Sequence, residues 1–218
     1  MGSARRPLIV VLLVVGLALF NWWIALPWLV PRTGMFDRLI SDATADGSPN
    51  AILIRLLEGT GAALVLLALL LRGPDDEHGR RRPDWWCAVG LVVFEAFDAV
   101  FVESCQSGTD RVCFDRELSF ALDWHHYLHI AGGVFEWTFA LLAAWFGWRR
   151  LRGTRRGRVY GALLVYAPIV LLPLAVTFVT HRLFAVVEFT IYTAFSILIV
   201  LVVSERGPDP SRPEIAAR

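Results

Sequence analysis

The chain has 218 residues, of which 56 % are hydrophobic and 19 % charged, and its formal net charge is +1. That apolar share is about what six helices of roughly 20 residues need to cross a bilayer, and more than a soluble domain of this length buries. Disordered, collagen-like, nucleic-acid-binding and disulfide-rich secreted proteins are excluded. All 21 basic residues are Arg, which reads as a coding bias and carries no chemistry.

In chain order, apolar runs predict six transmembrane helices at about 8–30, 51–71, 86–104, 123–147, 159–179 and 183–203. Residues 1–205 read as one all-α polytopic bundle and 206–218 as a short polar tail. The first run follows Arg5 and Arg6 and leads into Trp22, Trp23, Pro27, Trp28 and Pro31. It is too long for a signal peptide and ends on interface aromatics, so it reads as a retained anchor. In the next loop Met35, Phe36, Leu39 and Ile40 are spaced for a short helix lying in the interface, and Ser48 or Asn50 can cap the second span.

The loop after the third span holds Cys105 and Cys113, which can pair on the extracytoplasmic side, while Cys87 reads as a buried, reduced single. Trp148 to Arg158 carries six arginines and suits a loop lying on anionic headgroups. Pro168 and Pro173 loosen the fifth span. With the N-terminus inside, fifteen arginines fall on the inner side and six on the outer, which predicts both termini cytoplasmic.

Ionisable groups inside spans are costly, so their positions are the main functional signal. At about 1.5 Å per residue, Glu58, Asp98, His129 and Glu188 all fall about 8–10 Å below the outer surface. Glu95 lies one turn deeper than Asp98, Asn21 reaches a similar level, and His181 sits near the outer turn between the last two spans. His126, His129, Gly133 and Glu136 form one stripe on the fourth span. Glu188, Tyr192 and Ser196 step by four along the sixth, and Gly132 with Gly133 admits a close neighbour. Together these predict a polar cup opening outward.

His125 and His129 stand at i, i+4, the spacing that presents two imidazoles to one metal. With Asp98 they form a candidate ligand set for zinc or another divalent ion, with Glu58 or Glu188 as general base. The cup then reads as a metal-dependent hydrolase or transferase acting on an envelope lipid. The same carboxylates and histidines also suit a proton- or ion-coupled small-solute transporter, or a structural or accessory protein whose polar groups only specify packing. Membrane lipids are the expected partners, and nucleic acid is not.

Two stretches carry a resemblance. Ile40 to Ala51, leading into an apolar span, and Cys105 to Cys113 followed by Trp124-His125-His126-Tyr127-Leu128-His129 resemble the bacterial six-span family described as domain of unknown function 998. The resemblance covers about 8–203 and implies a multi-pass protein of the bacterial plasma membrane, with no established activity. Members carry Pro and Asp where the third span ends; Phe101-Val102-Glu103-Ser104 stands here, leaving Asp98 or Glu103 in that role. A looser similarity, to alkaline-ceramidase-like membrane hydrolases, implies a lipid amide or ester as substrate.

Overall fold

A computed structural model describes residues 5–29, 39–76, 79–180 and 184–205, apart from the side chains of 174, 175 and 177–180. These residues form eight α-helices and no strand. The helices are α1 (Arg5–Phe20), α2 (Leu26–Leu29), α3 (Ala51–Arg72), α4 (Pro83–Asp98), α5 (Arg111–Leu118), α6 (Trp124–Arg150), α7 (Arg155–Thr180) and α8 (Phe184–Ser204). Helices α3, α6 and α8 are long and apolar enough to cross a membrane, and α1 with the segment Trp22–Leu29 makes a fourth if that bent pair is one span.

The first predicted span is broken, with a bend of 50°. Asn21 causes the break: its amide Nδ2 donates to Leu17 O at 2.7 Å, while its Oδ1 accepts from Trp23 Nε1 at 3.1 Å. Pro27 follows with no backbone donor. The third predicted span is shortened. Helix α4 starts on Pro83, suited to a first helical turn, and ends at Asp98. Its 16 residues rise about 24 Å, and Ala99 to Glu103 leave the helix. Helix α7 continues through Pro168 and Pro173.

Packing follows an inside-out pattern on α6. Helix α6 buries His126, Gly132, Glu136, Ala140, Ala143, Ala144 and Gly147, whereas Val134, Phe135, Leu141 and Trp145 face outward. Small and polar residues inside with large apolar ones outside is the arrangement of helices surrounded by lipid. Helix α4 packs along α6 and α1 along α3, while α8 touches α3, α4, α6 and α7. The α1–α3 contact is backbone to backbone: a Cβ on Gly61 would lie 2.4 Å from Phe20 N.

The two ends of the bundle differ. At one, Cys105 and Cys113 form the disulfide, with Cα atoms 6.0 Å apart; the buried free thiol of Cys87 lies away from it, near the start of α4. At the other, Arg82 and Asp84 are fully buried. Asp84 accepts from Arg82 Nη2 at 2.9 Å and from Arg150 Nη2 at 2.9 Å. Glu205 accepts from Arg150 Nη2 at 2.6 Å, and its carbonyl from Arg72 Nε at 2.7 Å. This network ties α3, α4, α6 and the end of α8. Arg150 therefore points into the bundle and not toward headgroups, while Arg149 and Arg152 lie over the rings of Trp145 and Trp148.

The described part of the 31–50 loop, from Leu39, is no interfacial helix. It makes a tight turn at Ser41–Ala43 and buries Leu39 and Ile40: Ile40 packs with Trp22, Leu26, Ile54 and Ala185, and Leu39 lies against Gly108. Met35 and Phe36 lie outside the described residues. Asn50 takes the N-cap position of α3, but no side-chain capping hydrogen bond forms. Asn50 turns the chain with φ 60° and sends its amide to Leu29 O at 2.6 Å, and the Ser48 hydroxyl donates to Asp42 O at 2.5 Å.

Candidate functional site

Three helices each contribute one carboxyl to a cluster inside the bundle. Glu58 of α3, Glu95 of α4 and Glu136 of α6 are 6 %, 1 % and 4 % exposed. Glu95 lies between the other two, within hydrogen-bonding reach of both, and the Trp22 side chain neighbours Glu58. Both Glu95 oxygens and Glu136 Oε1 lack a donor among the described residues. Two facing carboxylates have no hydrogen to offer unless one carries a proton. Arg55, less than a turn from Glu58, is committed elsewhere: it donates to Thr44 O and Asp46 Oδ1, each at 2.7 Å.

Asp98 continues the line toward the disulfide end. Its carboxyl lies against α6 where Gly132 leaves space, since a Cβ there would sit 1.8 Å from Asp98 Oδ1. His129 Nδ1 lies 2.9 Å from Phe101 O and 4.0 Å from Asp98 Oδ1. The carbonyl requires the hydrogen on Nδ1, which leaves Nε2 facing Glu103 Oε1 at 3.5 Å. Glu103 is 4 % exposed and accepts from the Ser41 hydroxyl at 3.1 Å. Asp98, His129 and Glu103 thus follow one another at 4.0 and 3.5 Å from the carboxyl cluster toward the disulfide end.

A cavity of about 120 Å³ opens beside this line. Glu58, Asp98, Glu136, Glu188, His129, Trp22, Trp137, Tyr192 and Phe195 contribute to its wall, together with Ile40, Ser41 and Thr44 from the buried loop. Glu188 is partly satisfied, because its Oε2 accepts from the Ile40 backbone N–H. Among the described residues no Arg lines the wall. The volume holds several water molecules.

The remaining expected residues fall elsewhere. His125 is exposed and stands beside Trp124, ring centroids 4.5 Å apart. His126 is fully buried but serves the disulfide loop: Nδ1 accepts from Ser104 N–H at 3.2 Å and Nε2 donates to Glu117 Oε2 at 3.1 Å. Asn21 pairs with Ser196 of α8 at 2.9 Å, away from the cavity wall. His181 lies outside the described residues.

The zinc set His125, His129 and Asp98 is not assembled, and among the described residues no three His, Cys, Asp or Glu side chains are grouped to hold a metal ion. The i, i+4 spacing permitted His125 and His129 to share a face; the helix instead turns His126 and His129 inward and leaves His125 at the surface.

Glu117, on the short α5, was not singled out from the sequence. Burial pushes its carboxyl up, but hydrogen bonds from His126 and Ser107 outweigh this and hold it below the ordinary value. A depressed carboxyl stabilises the fold above its unfolded value, and that contribution is lost as pH falls through the lower, folded value. The disulfide loop is therefore expected to loosen in acid. Hydrogen exchange over residues 104–118, corrected for intrinsic rates, should rise on acidification in the wild type. In Glu117→Gln it should depend much less on pH.

Apolar helices of spanning length, with aliphatic side chains on their outer faces, define an all-helical membrane protein with a buried carboxyl site. The chain belongs to the family described as "Protein of unknown function (DUF998)", which matches residues 12–205. No curated protein and no solved structure matches it.

Proposed function

We propose that the protein is a proton-coupled transporter of a small solute, with six spans, both termini cytoplasmic and the disulfide end facing outward from a bacterial plasma membrane. Helices α4 and α7 supply the two further crossings, and lipids surround the aliphatic outer faces. The observation that carries the reading is the contact of Glu58, Glu95 and Glu136 inside the bundle, with no cationic side chain between them among the described residues. Arg55 acts on Glu58 from beside the cluster, but three carboxylates in contact in a low-dielectric interior cannot all stay ionised, and shared protons neutralise them. The line Glu103, His129, Asp98 leads from the outer side to that cluster and gives protons a route. His129 can relay: it presents a free Nε2 to Glu103 while its other nitrogen is fixed by Phe101 O.

Proteoliposomes with an acidic lumen and a trapped pH dye provide the test. Pools of permanently charged, zwitterionic and neutral small solutes are added outside, with protein-free liposomes as control. One pool is expected to alkalinise the lumen in the wild type and to lose that effect in Glu95→Gln. A folded wild type that moves no protons with any pool contradicts the reading, and leaves the carboxyls as packing elements.

A further inference from the structure

We infer that the cavity binds a small organic cation, an ammonium compound of about five non-hydrogen atoms; this names the solute class for the transporter reading and rests on it. An apolar cavity of about 150 Å³ takes benzene, so a cavity of about 120 Å³ admits a slightly smaller molecule. Its wall joins two kinds of group that recognise such cations. Glu136 and Asp98, more than nine-tenths buried, line it with Glu136 Oε1 and Asp98 Oδ1 unpartnered among the described residues. Glu58 adds a third carboxyl, and Trp22, Trp137 and Tyr192 add aromatic rings.

Carboxylates balance the charge while ring faces attract a diffuse cation by its positive potential. A bare metal ion needs several ligands converging within about 2–2.6 Å, and among the described residues no such group exists. Among the described residues the carboxylates do not converge as metal ligands, and those of the wall border a space suited to a larger, softer cation. Among the described residues the same wall carries no Arg, an arrangement that suits a cation better than an anion.

Tetramethylammonium, of the predicted size, is the probe, titrated calorimetrically into the detergent-purified full chain. Saturable binding is expected, with none for the neutral tert-butanol of similar size. Glu136→Gln should weaken binding by about tenfold or more, and Trp137→Leu by about fivefold. The wild-type comparison of tetramethylammonium with tert-butanol needs no variant, so it decides even if a substitution unfolds the protein. No binding by a folded wild type, equal binding of tert-butanol, or binding of sodium or potassium alone overturns the inference. Absence of binding alongside solute-driven proton movement would reject the cation and keep the transporter. Binding without any proton movement would do the reverse.

Discussion

Gly132→Ala is expected to damage both fold and site, although it adds a single methyl group. The new Cβ would overlap Asp98 Oδ1 at 1.8 Å, far inside contact distance. Either α4 moves away from α6 or Asp98 rotates out of its place beside His129. Overpacking of this kind costs about 1–3 kcal/mol, and here it falls on the closely packed α4–α6 pair. Gly133→Ala is the control, since its Cβ would meet Asp98 Oδ2 at 4.0 Å, an ordinary contact. Thermal unfolding in detergent should separate the two variants clearly. Equal stability of both would mean that α4 and α6 are further apart than described.

Asp84→Ala is expected to have the largest effect on stability alone. Asp84 is fully buried and is the shared acceptor for Arg82 and Arg150. Among the described residues, its removal leaves the buried Arg82 with the 3.2 Å contact to Glu205 as its remaining ion pair. Breaking one partner of a buried pair costs about 3–5 kcal/mol. Arg81→Ala, three residues earlier, is the contrast: its side chain is 76 % exposed and its pair with Asp75 spans 3.9 Å, so little change is expected. Size-exclusion profiles after graded heating report the difference. An Asp84→Ala protein as stable as Arg81→Ala would show that the network at this end does not hold α4, α6 and α8 together.

Hydropathy revealed the helical class because spanning helices need long apolar runs, and those are visible without tertiary information. Depth arithmetic placed Glu58, Asp98, His129 and Glu188 at one level, and these four line one cavity. Helix faces were harder to read. His125 and His126 are about 100° apart on a helix, so spacing allowed either to accompany His129, and only packing against the 99–104 turn selects His126. Glu103 lies past the end of α4, where helical periodicity no longer applies; only the resemblance at the third span's end pointed to it. Trp22 read as an interface aromatic because the break at Asn21, which turns it inward, depends on side-chain hydrogen bonds that no hydropathy profile records. Arg150 looked like one of six headgroup contacts, and its inward turn depends on Asp84 and Glu205, distant in sequence.

Proton release on cation binding tests the central claim most directly. Purified protein in weak buffer with a pH dye is mixed with tetramethylammonium near neutral pH. If the carboxyls around the cavity exchange protons for the cation, the medium acidifies in proportion to occupancy, by about one proton per bound cation, since each cation's charge replaces one proton's. Glu136→Gln should release fewer. Cation binding that saturates with no change in pH would show that the cluster does not exchange protons for solute, and would contradict the coupling on which the transporter reading depends.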